Sequence, residues 1–339
     1  MRITTNAILR NYKSNLGQSL TNLDDCRTKV MTGRNFNSVS EDPAGALRAA
    51  TLQRKYVRNQ DYLSNVKDAQ SFQDSQEDAA MQINNIAKTL SKQYGLEALN
   101  GTNGSIETRK TYADAWRGAQ ESMILSLNAS YEGKYVFAGG DGDEPPFALS
   151  TNAQGEQILT YRGVDVNSTN PADQKILEEL SKESVYIDLG FGLASATDGS
   201  LDPSSAFNTS LPGINLVGFG QDDNGNPKNM ILLAGKIADT LEQKDFDREE
   251  FKELLDAFDD GRSNVLEQVT NLGTRTEFLK TTEERLKTSE INLATQYDSV
   301  VNVDMPAAIS NFSWAQYAYN AALKVGTNIL SPSFIDFMK

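Results

Sequence analysis

Apolar residues recur every seven positions near both ends of the chain. Leu9, Leu16, Leu23 and Val30 keep that interval at the start, with Tyr12, Leu20 and Cys26 filling the same side. Leu272, Leu279, Leu286, Leu293 and Val300 repeat it near the end, widened by Ile291, Tyr297 and Val301. A seven-residue beat keeps one helical stripe turned toward a partner, so both segments are expected to be coiled-coil helices. Thr32-Gly33-Arg34-Asn35 breaks the first helix. Ser40-Glu41-Asp42-Pro43 predicts the next start, with Ser40 or Asp42 as cap and Pro43 in the first turn. Helical spacing then runs through Leu47, Tyr56, Leu63, Phe72, Ile83 and Leu90 to Tyr94. A continuous helix of that extent is about 75 Å long.

Asn100-Gly101 and Asn103-Gly104 mark a turn, and a further helix is expected over about 106–130, with Tyr112, Trp116, Met123 and Leu127 on one side. Between about 145 and 220 the pattern changes. Ile158-Leu159-Thr160-Tyr161 and Val185-Tyr186-Ile187-Asp188-Leu189 read as strands punctuated by Gly, Pro, Asn and Ser. Helical character returns after Pro227, over about 229–242, 248–301 and 307–325. The last of these carries Ile309, Phe312, Tyr319 and Leu323.

The most economical arrangement pairs the two heptad stripes with each other. The expected fold is mainly α: an elongated, discontinuous helical coiled-coil or bundle rod, formed by paired N- and C-terminal segments, with an inserted small β-rich domain. The expected domains are a terminal coiled-coil assembly domain (1–40 with 302–339), a helical rod domain (41–144 with 221–301) and a β-rich outer domain (145–220).

Charge sharpens this picture. The 339 residues carry a formal net charge of −14, which disfavours nucleic acid and anionic membrane as partners. The acids crowd the middle: 242–260 alone holds Glu242, Asp245, Asp247, Glu249, Glu250, Glu253, Asp256, Asp259 and Asp260. The ends are nearly free of charge, with Arg2, Arg10 and Lys13 over 1–23 and Lys324, Asp336 and Lys339 over 305–339. Yet both ends are apolar, and a two-helix ribbon has too little cross-section to bury them. Other chains are expected to cover them, copies of this one being the simplest neighbours. The expected assembly interface comprises Ile3, Ile8, Leu9, Tyr12, Leu16, Leu23, Val30, Leu293, Val300, Ile309, Phe312, Leu323, Leu330, Phe334, Ile335, Phe337 and Met338.

Candidate chemistry is sparse. The chain has no histidine, which removes the commonest general base and the usual zinc ligand. Cys26 is alone and lies in an apolar helical stripe, as a small buried hydrophobe does. Asp222-Asp223-Asn224-Gly225-Asn226 resembles the opening of a calcium loop, but the closing position holds Leu233 where such a loop needs an acid, so it reads as a turn. No cofactor, metal or catalytic site is expected, and no enzymatic activity. The start lacks the apolar run of a cleaved signal peptide, and no stretch is long and apolar enough to span a membrane.

Several short motifs carry a family resemblance. Met1-Arg2-Ile3-Thr4 with Asn6 is followed by Met31-Thr32-Gly33-Arg34, Asn37-Ser38 and Glu41-Asp42-Pro43-Ala44-Gly45. In that order and this near the start they resemble the flagellin superfamily. Gly133-Lys134-Tyr135-Val136-Phe137-Ala138-Gly139 followed by Pro146-Phe147, and the ending Ser331-Pro332-Ser333-Phe334-Ile335-Asp336-Phe337-Met338, are similar to its hook–filament junction members, the hook-associated protein 3 family. An arginine cluster usual on flagellin's second long helix is not matched around Ile86–Leu90. The resemblance implies an extracellular flagellar structural protein, exported without a cleaved signal through the flagellar type III system. It implies a ring of copies, with hook-associated protein 1, flagellin and a cytoplasmic export chaperone as partners. A flagellin, the filament subunit itself, is the alternative within the same class, and a cytoplasmic coiled-coil scaffold the alternative outside it.

Overall fold

The computed structural model describes residues 5–100, 105–151, 157–194, 202, 205–222 and 225–330. The chain divides into two compact units, residues 1–60 with 287–339 and residues 61–286. Two long helices, α2 (Pro43–Thr89) and α8 (Arg248–Val301), contribute to both.

The first unit contains α1 (Thr5–Thr32), the opening of α2, the close of α8 and α9 (Met305–Leu330). Gly33 ends α1 at φ +68°, a left-handed conformation that costs glycine little. The joint between α1 and α2 is clipped to the joint between α8 and α9: Asn35 N donates to the Val301 carbonyl at 2.8 Å, and Val303 N to the Gly33 carbonyl at 3.0 Å. The helix start predicted at Asp42-Pro43 is present. Asp42 Oδ1 accepts from Gly45 N at 2.9 Å, and Pro43 opens the helix. A Cβ at position 45 would lie 2.3 Å from Asp42 Oδ2, so this cap is built around a glycine.

The second unit holds the main apolar core. Helix α7 (Met230–Glu242) is buried on nearly every side, as its almost continuous apolar sequence requires. It packs against α4 (Ile106–Leu127). The two helices start on side-chain caps, Asn229 for α7 and Ser105 for α4. Trp116 of α4 meets Phe258 of α8 edge to face at 4.9 Å, both rings fully buried. The helix expected to continue to Tyr94 is α-helical to Thr89 and π-helical over Leu90–Gly95, followed by the short α3 (Leu96–Ala98). The wider turn admits a close approach: a Cβ on Gly95 would come within 2.7 Å of Leu255 Cδ1.

After α4 the backbone forms a hairpin, β1 (Ser130–Tyr131) with β2 (Lys134–Tyr135), closed by Glu132 and Gly133 at φ +52° and +81°. Positive φ at both central residues is the turn that matches strand twist. A three-stranded antiparallel sheet follows, β3 (Phe147–Thr151), β4 (Gln157–Tyr161) and β5 (Val164–Asp165), in the order β3-β4-β5. The strand expected at Ile158–Tyr161 is β4. The one expected at Val185–Leu189 is shorter, β6 (Tyr186–Ile187), paired with β7 (Phe207–Asn208). Two elements were not anticipated, α5 (Pro171–Ser181) between the sheets and α6 (Gly213–Val217) after β7. Helix α5 forms because Asn170 caps it, Pro171 fixes its first turn and Leu177 is fully buried. The segment is therefore mixed rather than purely β. The chain as a whole is mainly α with a small antiparallel β region. Among the described residues no helix is long and apolar enough to cross a membrane.

Candidate assembly interface

Helices α1 and α9 pack against each other in antiparallel sense, since Tyr12 meets Ala322 while Gly33 meets Val303. The inward stripe of α1 reads Leu9, Tyr12, Leu16, Ser19, Leu23, Cys26 and Val30, all half-buried. That of α9 reads Ala308, Phe312, Ala315, Tyr319, Ala322 and Gly326. Both keep the alternating three- and four-residue steps of a heptad seam. Small residues on α9 let the larger α1 side chains approach closely. At Gly326 a Cβ would lie 1.9 Å from the Tyr12 hydroxyl oxygen, and that hydroxyl donates to the Ala322 carbonyl at 3.1 Å.

A second face of α9 is apolar as well. Trp314 and Tyr317 are 75% and 77% exposed, and Ala318, Ala321 and Val325 continue their stripe at helical spacing. Ile309 and Leu323, at 50% and 40% exposure, flank the seam on its other side. Lys324 is the helix's only charged residue. Such a surface is unusual for a helix facing water, and each exposed Ile, Leu or Val would gain up to about 1.5–3 kcal/mol on full burial. Ile8, Leu20 and Met31 of α1 are also exposed.

The expected interface thus separates into groups. Leu9, Tyr12, Leu16, Leu23, Val30 and Phe312 lie half-buried on the α1/α9 stripes, and Leu293 and Val300 are half-buried on α8. Ile8, Ile309 and Leu323 are exposed. Ile3, Phe334, Ile335, Phe337 and Met338 fall outside the described residues, as does the side chain of Leu330. The heptad search did not single out Trp314, Tyr317 and Val325. Their signal was available: aromatic and aliphatic residues at helical spacing in a stretch almost without charge.

The loop between α1 and α2 is stiffened locally. Glu41 accepts from Asn37 N at 2.8 Å and from the Ser38 hydroxyl at 3.0 Å. The Asn37 amide, with help from Ser38, holds the Glu41 carboxyl below its ordinary range. Asn35 Nδ2 donates to the carbonyls of Val300 and Asn302 at 3.1 and 2.9 Å. In the second unit the Val136-Phe137-Ala138 run is buried, and the Phe137 carbonyl accepts from both Tyr161 Oη at 3.0 Å and Gly213 N at 2.9 Å. The Asn128 side chain brackets Phe147, accepting from its N–H at 3.0 Å and donating to its carbonyl at 2.8 Å. These bonds give the motif residues a physical role as the joint from α4 into the β region. Asp222 Oδ1 accepts from Asn226 N at 2.6 Å, and Gly225 sits at φ +77°.

Residues 3–141 match the family described as the bacterial flagellin N-terminal helical region. No curated protein sequence matches the chain. Among solved structures, one assigned as a flagellar hook-associated protein of Vibrio parahaemolyticus aligns with a TM-score of 0.58 at 18% identity, covering 77% of this chain and 100% of that one. FlgL of Xanthomonas campestris aligns at 0.50 and 12% identity, covering 73% and 98%. The flagellar hook-associated protein-3 of Legionella pneumophila aligns at 0.48 and 15%, covering 74% and 98%. At these identities the Vibrio structure establishes a shared fold. The flagellin N-terminal helical region is thus matched over residues 3–141, and the chain shares the fold of a flagellar hook-associated protein.

Proposed function

We propose that the chain is the adaptor that joins hook to filament. Copies assemble side by side through the α1/α9 pair, and the exposed α9 stripe at Trp314, Tyr317 and Val325 is covered by neighbouring subunits. That uncovered apolar helix, in a unit with little core of its own, is the observation that carries the reading. The flagellin-type N-terminal region and a fold shared with a hook-associated protein support it. In this reading residues 1–40 with 302–339 form the assembly domain, 41–144 with 221–301 the rod and 145–220 the outer domain. The interface residues named from the sequence join Trp314, Tyr317 and Val325 in the subunit contacts. Hook-associated protein 1 lies below the ring, flagellin above it, and an export chaperone shields the C-terminal helix before secretion through the flagellar type III system without a cleaved signal.

The filament subunit is the second reading, favoured by the match to the flagellin N-terminal region. A strain lacking this gene separates the two. The adaptor role predicts hooks without filaments and flagellin monomer in the medium. A filament-subunit role predicts no secreted flagellin and, for the purified chain, indefinite growth from a seed. Normal filaments in the deletion strain would exclude both.

A further inference from the structure

Within the second unit, Arg275 of α8 is half-buried and makes no ion pair among the described residues. Its guanidinium reaches only the carbonyls of Asn208 and Ser210, at 3.5 and 3.4 Å. These are long for N–H···O bonds, whose usual length is about 2.9 Å, so most of its donor capacity is unspent. Burial pushes the guanidinium below its ordinary pKa, with no opposing carboxylate to restore it. A buried cation normally comes with a partner. Here the partner position opens into a pocket.

That pocket has a volume of about 360 Å³, and Arg275 shares its lining with Ser181, Ser184, Asn208, Ser210 and Gln268. Ser210 is 6% exposed and its hydroxyl has no hydrogen-bond partner. Lys182 also lines the pocket and adds a second positive charge, its Nζ only loosely engaged with Glu178 at 4.0 Å. Glu183 lines the pocket as well, its Oε2 accepting from Arg162 at 2.7 Å and from Gly140 N at 2.9 Å. A second hollow of about 480 Å³ shares Arg275 and Asn208 and is walled by Tyr186, Phe191, Phe207 and Phe278. Phe278 is 45% exposed and stacks on both Phe207, at 5.8 Å, and Phe191, at 5.7 Å.

We propose that Arg275 and its pocket form a binding site for an acidic sugar, the carboxylate seated on the guanidinium and the ring hydroxyls on the serine and amide side chains. Each feature selects for one part of that ligand. An unpaired planar guanidinium matches a carboxylate in two-point fashion. Hydroxyl and carboxamide groups donate and accept, as sugar hydroxyls do. The cavity holds about ten waters at about 30 Å³ each, room for a monosaccharide and far more than a bare inorganic oxyanion fills.

Titration calorimetry of the full chain with glucuronate, glucose and inorganic phosphate tests this. The expected result is saturable glucuronate binding, much weaker glucose binding, and a loss of at least about tenfold in glucuronate affinity in Arg275→Gln, the loss expected when one bidentate charge-assisted pair is removed. Arg275→Lys keeps the charge without the planar fork and should fall between. If Arg275→Gln lowers the thermal midpoint, Gln268→Ala provides the second variant and should weaken glucuronate binding without unfolding. Phosphate binding as tight as glucuronate would reduce the pocket to a simple anion site and overturn the proposal. So would glucuronate binding indifferent to Arg275, or none at all.

Discussion

The Tyr12 hydroxyl donates to the carbonyl of Ala322 at 3.1 Å, joining residues 310 apart in sequence at the one place where α9 presents a glycine to α1. The bond locks the antiparallel register of the two terminal helices, and Gly326 makes it possible. Replacing Gly326 by Ala should displace Tyr12 and break the bond, loosening the α1/α9 pair by about 1–3 kcal/mol, the usual range for overpacking a seam. Amide exchange in α1 should quicken by about tenfold or more while α7, in the other unit's core, is unchanged. Equal protection of α1 in wild type and Gly326→Ala would contradict this.

Asn35 ties the two helix joints together through both its backbone and its side chain. Asn35→Ala keeps the backbone bond and removes two side-chain donations, leaving the Val300 and Asn302 carbonyls to water. A loss of about 1–2 kcal/mol is expected in the terminal unit, read as faster exchange at Val303 N–H, whose bond to Gly33 depends on the same clip.

Much of the architecture is legible in the chain, and the misses have physical causes. The long α8 was expected over the residues it occupies, because its heptads are sustained and its first turn carries Glu249 and Glu250. Asp42-Pro43 announced its helix start by cap chemistry. Helix α5 was passed over although Asn170-Pro171 is a start signal, because glycines, prolines and serines on both sides of it suggested strands and turns. The π-helical turn at Leu90–Gly95 brings Gly95 against Leu255, distant in sequence, a contact that no local pattern announces. At the interface, the α1 stripe was expected to pair with the heptad stripe of α8, but it packs on α9, where the large residues Phe312 and Tyr319 were legible and the small ones between them were not. The small ones are Ala308, Ala315, Ala322 and Gly326, whose virtue is their size, while the large residues of α9 at Trp314 and Tyr317 point away from the seam.

Gln73 of α2 is fully buried, and neither its amide nitrogen nor its carbonyl oxygen has a partner. Such a group destabilises the fold relative to an apolar residue of similar size. Gln73→Leu should raise stability by about 1–3 kcal/mol, seen as a higher denaturant midpoint with unchanged m-value. A lower midpoint would show that the amide is satisfied in solution.

Arg117 of α4 grips Glu242 of α7 through two bonds of 2.8 Å and also reaches Asp239 at 2.9 Å. The Arg117 hydrogen bonds hold the Glu242 carboxyl below its ordinary range. A carboxyl depressed on folding adds stability above its unfolded pKa of about 4.3. That contribution is lost as pH falls through the lower folded value. Arg117→Gln should therefore cost about 1 kcal/mol near pH 7, a partly exposed pair being worth no more. The difference from wild type should shrink as pH falls below about 4 and vanish once Glu242 is protonated in both. Thermal midpoints of the two proteins between neutral and acid pH check this; a gap that widens on acidification would reverse the sign.

The same α9 stripe should govern association without governing folding. Tyr317→Ser, at a side chain 77% exposed, should leave the thermal midpoint of the monomer within about 0.5 kcal/mol of wild type, as surface substitutions usually do. In cells it should give hooks that carry few or no filaments. Normal filament numbers would remove this residue from the interface.

The most direct test uses the two tryptophans. Trp116 is fully buried and Trp314 is 75% exposed. In the free chain, acrylamide should quench a red-shifted component of the emission, from Trp314, while the Trp116 component is protected. On assembly onto isolated hooks, that component should shift to the blue and escape the quencher, because a neighbouring subunit covers the α9 stripe. Trp314 remaining fully quenchable in chains seated on hooks would contradict assembly through this helix.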